Sequence, residues 1–262
     1  MSCWRSGARS TKNQLTVLIP KDSHSELTVL EGVKENLLSK QMIDHIFING
    51  CSFNQINPKG NIDTFVGKIV AEHFDIPYTN FARGGRGNYR ICTTTKMWFE
   101  KTKPDNAFAL IEWTSPFRRD FPTGDGWKPM PGYNTTWRTW TTISNLPWTR
   151  EGKKSWDLEQ EHSLFMLNCI LDMQWYFKAK NIPYVMYHGL DGEIKTNFTD
   201  HKLLWESVDH KRFFKPFDSH YEEIQRTGQY VSKNDFHPDY PGHRMWAKEL
   251  IQHIEENDLL NI

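Results

Sequence analysis

The chain has 262 residues, with 32 Lys+Arg balanced by 32 Asp+Glu, 38% hydrophobic residues and 14% aromatic residues that include 11 Trp. A net charge of zero and a pI near 7.2 exclude a nucleic-acid or anionic-membrane partner held by bulk charge, because such binding rests on phosphate neutralisation by clustered Lys and Arg. A chain of this length buries roughly three quarters of its extended surface and needs no disulfide or metal staple, and no apolar run approaches the ~20 residues of a membrane span.

Met1 to Asn13 is positively charged, but the apolar patch behind it, Leu15 to Pro20, is short and ended by proline. No signal peptide is expected, and a cytoplasmic location follows. Cys3, Cys51, Cys92 and Cys169 are widely spaced with no CxxC pair, which suggests neither a zinc knuckle nor a disulfide framework. Residues 1–43 read as an N-terminal extension: a β-like patch at Leu15 to Pro20, then Glu26 to Met42 with Leu27, Leu30, Val33 and Leu37 at helical spacing.

From residue 44 to residue 262 apolar runs alternate with amphipathic stretches. His45 to Asn49 predicts a strand; Ile62 to Phe74 a helix, with Phe65, Ile69 and Val70 on one stripe; Tyr78 to Phe81 a strand. The glycine-rich run Ala82 to Asn88 separates that strand from a helix reaching Thr102, which Asn88 is placed to cap. Ala107 to Glu112 is continuously apolar up to its last residue, the pattern of a strand buried on both faces of a parallel sheet. Leu158 to Lys180 predicts the longest helix, Tyr184 to Tyr187 another strand, and Tyr240 to Glu256 a final helix with Pro241 in its first turn. Strands alternating with helices imply βαβ crossovers, hence an α/β fold: a three-layer α/β/α sandwich around a central parallel sheet.

One region breaks the rhythm. A Trp-rich insertion at about 120–157 is abundant in Gly, Pro, Asn and Thr and carries Trp127, Trp137, Trp140, Trp148 and Trp156. A loop this long is either functional or wrongly assigned. Its indoles either pin the insertion as a satellite core or line a cleft, where flat rings stack on sugars or apolar acyl groups.

In an open parallel sheet, ligands bind beyond the carboxyl ends of the strands. The residues there are Gly50-Cys51-Ser52-Phe53, then Gly84-Gly85-Arg86-Gly87-Asn88, then Trp113-Thr114-Ser115, and Asn234-Asp235-Phe236-His237-Pro238 ahead of the last helix. A serine, a loop of backbone amides and an Asp/His pair are the parts of a serine hydrolase. In their order these blocks resemble the SGNH/GDSL hydrolase superfamily, in its variants opening with Gly-Cys-Ser-Phe, a form associated with phages and marine bacteria. The resemblance implies a flavodoxin-like SGNH fold and an ester hydrolase. Ser52 would be the nucleophile, Gly85 the oxyanion glycine with Asn88 following it in the loop, His237 the base and Asp235 its orienter.

Two positions depart from the family pattern. Where its third block has Gly-x-Asn, with the Asn amide donating to the oxyanion, this chain has Glu112-Trp113-Thr114, leaving Thr114 as the donor. The usual acid lies three residues before the histidine, and here Asp235 lies two before. His237, His243, Asp235 and Asp239 show no metal-ligand spacing, so neither metal nor cofactor is expected. Arg118 and Arg119 read as solvated or salt-bridged, with contact to a substrate carboxylate as the functional reading. The expected partner is a small-molecule or glycan ester, the first candidate being an O-acetyl group on a carbohydrate. The rival reading is a binding or structural protein with a degraded site, gripping glycan through the insertion or joining other virion proteins as a virion component.

Overall fold

The computed structural model divides the chain into two units, Met1–Lys40 and Gln41–Ile262. It describes residues 42–57, 60–129, 136–143, 155–190 and 199–261, with backbone only at 119, 121–129, 136–143, 155–160 and 199–200. The patch at Leu15 to Pro20 and nearly all of the helix from Glu26 lie outside the described residues.

Four strands form the central sheet: β1 (His45–Asn49), β2 (Tyr78–Asn80), β3 (Ala107–Trp113) and β6 (Tyr184–His188). They are parallel and run in the order β2-β1-β3-β6, with Asn49 beside Ile111 and Trp113 beside His188 at the carboxyl ends. Side-chain alternation splits the core into two layers. Phe47, Ala109, Ile111, Tyr184 and Met186 face α2 (Asn88–Thr102) and α3 (Ser155–Ala179), packing on Ile91, Trp98, Ile170 and Phe177. Ile46, Ile48, Phe108, Leu110, Val185 and Tyr187 face α1 (Val66–Phe74) and α6 (Tyr240–Glu256), packing on Val70, Trp246 and Leu250. Helices thus cover both faces of a parallel sheet, and the α/β/α sandwich is as expected. All seven residues of β3 are buried, which explains its unbroken apolar run.

Strand order reverses between β1 and β3, and in open α/β sheets that switch point is where a crevice forms. α6 begins as its residues dictate: Asp239 caps it by accepting from Gly242 N–H at 2.8 Å, with Pro241 in the first turn. α1 starts later than Ile62, because Ile62 pairs with Asn57 in an antiparallel bridge and Phe65 is extended at φ −160°. Asn88 does not cap α2 either; Gly87 stands at the N-cap, and the Asn88 side chain bonds elsewhere.

The Trp-rich insertion is not a structureless loop. β4 (Arg119–Pro129) pairs antiparallel with β5 (Thr136–Ile143) as a separate two-stranded ribbon, opposing Trp140 to Pro122 and Trp137 to Lys128. Threonine and tryptophan suit strands, and this composition outweighs the scattered Gly and Pro. The side chains of Trp127, Trp137, Trp140 and Trp156 are outside the described residues, as is Trp148 altogether. Shorter elements complete the chain: α4 (Thr199–Glu206), α5 (His220–Thr227), and a hairpin of β7 (Tyr230–Ser232) with β8 (Asp235–Pro238). Among the described residues no helix is long and apolar enough to cross a membrane.

Candidate active site

Ser52 opens a one-turn 3-10 helix, Ser52–Asn54, directly beyond β1, and buried polar side chains clamp that turn from below. Asn49 Oδ1 accepts from Gly50 N–H at 2.9 Å, while its amide nitrogen donates to Ile91 O and to the hydroxyls of Thr94 and Thr95. Asn54 Oδ1 accepts from Gly67 N–H at 2.9 Å and its Nδ2 donates to Tyr187 Oη at 3.0 Å. Between them, Glu112 Oε1 accepts from both Cys51 N–H and Cys51 Sγ–H, each at 3.0 Å, and Oε2 accepts from Tyr187 Oη at 3.3 Å. Gly50 must be glycine for this, since a Cβ there would lie 2.6 Å from Glu112 Cβ.

This burial has electrostatic consequences. Desolvation pushes the Glu112 carboxyl up to about 7, against the pull of the bonds from Cys51 and Tyr187 and the positive charge of Arg118. Burial and the neighbouring Glu112 push the Cys51 thiol up to about 12, so it stays protonated and is a poor nucleophile.

His237 arrives from β8. Its Nδ1 lies 2.5 Å from Asp235 Oδ1, which also accepts from His237 N–H at 3.1 Å, while Asp235 Oδ2 accepts from Asn57 Nδ2 at 3.2 Å. Burial raises the Asp235 carboxyl, but the bonds from His237 and Asn57 outweigh it and leave it below the ordinary carboxylate range. Asp235 is therefore the ionised group that holds Nδ1–H and leaves Nε2 as the basic nitrogen. Two-residue spacing works because Asp235 and His237 project to the same face of a strand. The His237 ring sits 5.5 Å from that of Phe53, the residue after Ser52. Neither Ser52 Oγ nor His237 Nε2 makes a hydrogen bond among the described residues, so the direct Ser–His contact of a closed triad is not formed.

The glycine loop beyond β2 borders the serine. A Cβ on Gly84 would lie 3.7 Å from Ser52 Cβ. Gly84 N–H donates to Gln55 Oε1 at 2.7 Å, whereas Gly85, at φ +75°, offers an N–H with no acceptor among the described residues. Asn88 is fully buried; its Oδ1 accepts from Thr114 N–H at 2.9 Å and its Nδ2 donates to Thr114 O at 3.1 Å. Its Nδ2 also lies 3.5 Å from Ser115 O, so the side chain ties α2 to the end of β3. Thr114 is also fully buried, and its Oγ1 accepts from Arg118 Nη1 at 2.8 Å.

No protein-family model matches the chain, and no curated protein does. Solved structures it resembles are esterases and lipases of SGNH/GDSL type. They include an esterase from Pseudoalteromonas (10% identity, 81% of this chain and 97% of that one, TM-score 0.49) and a GDSL-like lipase from Bacteroides thetaiotaomicron (13%, 87% and 97%, 0.43). An acetylxylan esterase from Geobacillus stearothermophilus gives 12% identity over 80% of this chain and 94% of that one, at TM-score 0.46.

Sequence reasoning missed Glu112 and Asn57. A charge closing an otherwise apolar strand is the signal that marked Glu112; Asn57 had none, because its value lies in a bond to a residue 178 positions away. His243 is buried, and desolvation with the nearby His237 lowers it to about 3, so it is neutral and not a second base. Among the described residues no group of three or more His, Cys, Asp or Glu is placed to hold a metal ion.

Proposed function

We propose that the chain is a serine-dependent hydrolase of small acyl esters. Ser52 is the nucleophile, His237 the general base, Asp235 its orienter, and the N–H groups of Ser52 and Gly85 receive the oxyanion. The observation that carries this reading is the Asp235–His237 pair at 2.5 Å, with its imidazole beside Phe53. His237 Nε2 takes the Ser52 proton as Oγ attacks the ester carbonyl, then returns it to the departing alcohol. Water attacks the acyl-serine, giving its proton to Nε2, and the carboxylic acid leaves as Ser52 is regenerated. The step requires Nε2 and Oγ to close to about 2.6–3.2 Å, and such bonds often tighten only with substrate bound.

An acetyl group on a carbohydrate is the substrate we favour, because a Trp-rich ribbon leaves the carboxyl edge of β3, where indole faces can stack on sugar rings. The unformed Ser–His bond favours a second reading, a glycan-binding protein with an idle site, of the kind a virion would carry. Hydrolysis of 4-nitrophenyl acetate decides between them. Turnover that is lost in Ser52→Ala, with the melting temperature unchanged, is the expected result; equal rates in both proteins overturn the proposal.

A further inference from the structure

A third oxyanion donor is expected at the end of β3, and the two side chains the sequence places there are buried and bonded to other groups. Asn88 is bonded to the backbone of Thr114 through both its oxygen and its nitrogen, and Thr114 lies buried beneath Arg118. The β3–β4 turn, closed by Arg118 N–H on Ser115 O at 3.2 Å, folds the arginine back over the strand end it has just left. Arg118 is half-buried there, and among the described residues its guanidinium donates once, to Thr114 Oγ1. It forms no ion pair with a carboxylate among the described residues. Ser52 and Thr114 each stand three residues beyond the paired Asn49 and Ile111 of β1 and β3, so the guanidinium bonded to Thr114 lies at the strand end next to the one that carries the Ser52 turn.

A guanidinium carries five N–H donors and keeps its charge at every working pH. One donor anchors it here, and among the described residues the rest have no acceptor. A fixed, partly desolvated cation with free donors, held by a short strand-end contact beside a serine, is built to receive negative charge as it develops. We propose that Arg118 is a catalytic residue: its guanidinium donates to the oxyanion of the tetrahedral intermediate, from the place where Thr114 or an asparagine amide was expected to do so. Thr114 then serves as the anchor that orients Arg118. The inference rests on the esterase reading of Ser52.

The test compares the full-length wild type with Arg118→Gln and Arg118→Lys on 4-nitrophenyl acetate, a neutral ester, alongside the rate at which a fluorophosphonate labels Ser52. An oxyanion donor acts in the transition state, so Arg118→Gln should lower kcat by about a hundred- to a thousand-fold, with KM little changed and slower labelling. Arg118→Lys keeps the charge and should recover part of the loss, which separates a catalytic role from a merely structural one. Unchanged kcat and labelling in Arg118→Gln, with the wild type active, overturn the assignment of Arg118 alone. A loss confined to esters that carry a carboxylate also overturns it, by making Arg118 a ground-state contact. A wild type that neither turns over nor labels overturns the esterase reading and this inference with it.

Discussion

The two halves of the proposed catalytic apparatus are built to different standards of rigidity. The nucleophile turn stands on Asn49, Asn54 and Glu112, each with none of its surface exposed and each bonded across elements far apart in sequence. The base stands on a hairpin of three and four residues, with 37% of the His237 side chain and 29% of the Asp235 side chain exposed, and Asn57 as its bond to the floor. Buried, fully satisfied polar networks give one geometry, while short exposed strands open at little cost. In the proposed mechanism the contact still to be made is the one that bridges the halves, and the less buried histidine is the partner that would close on the serine.

The largest effect should come from the arm. Asp235→Asn can keep its oxygen toward Asn57, but it then turns an amide NH2 toward both Nδ1 and His237 N–H, losing that backbone bond and favouring the wrong tautomer, and kcat should fall by up to about 10⁴-fold. A loss of less than about threefold would mean that His237 is held by its strand alone and the site is a dyad.

The floor should respond in stability, through Glu112. Its folded pKa of about 7 stands above the ordinary value of 4.5. A raised carboxyl binds more protons folded than unfolded, so its contribution is fully present below about 4.5 and is lost as pH rises through about 7, on the order of 3 kcal/mol in all. Glu112→Gln can still accept from Cys51 and removes the titration. Between pH 5 and 8 the wild type should therefore lose stability relative to Glu112→Gln, as read from denaturant midpoints of both proteins. The comparison must be differential, because His188 and His243, both lowered to about 3 chiefly by burial, give a slope of opposite sign below pH 6.5. A constant difference across that range would show that the carboxyl does not titrate there.

The smallest effect expected is that of Gly50→Ala, which forces a methyl against Glu112 and should cost about 1–3 kcal/mol by overpacking. A neutral result in urea unfolding would show that the floor gives way more easily than its burial implies.

What the sequence disclosed follows the same division. Ala107 to Glu112, Tyr184 to Tyr187 and Tyr240 to Glu256 were legible because a long apolar period or an unbroken buried run leaves little choice of element. β7 and β8 were not, since three or four residues carry no period, and the ribbon of β4 and β5 was hidden by its Gly and Pro. Ser52, Asp235 and His237 were candidates from motif order after strands, and of these the structure pairs Asp235 with His237. The engagement of Asn88 and the fold-back of Arg118 could not, because hydrogen-bond saturation is decided by neighbours 26 residues away or by a turn whose direction the sequence leaves open.

The central claim is that Ser52 is a nucleophile that His237 can reach. Incubation with a fluorophosphonate followed by peptide mass spectrometry tests it most directly. The account predicts one adduct, on Ser52, forming at a rate that falls sharply in His237→Ala; an unlabelled Ser52, or labelling at the same rate without His237, would contradict it.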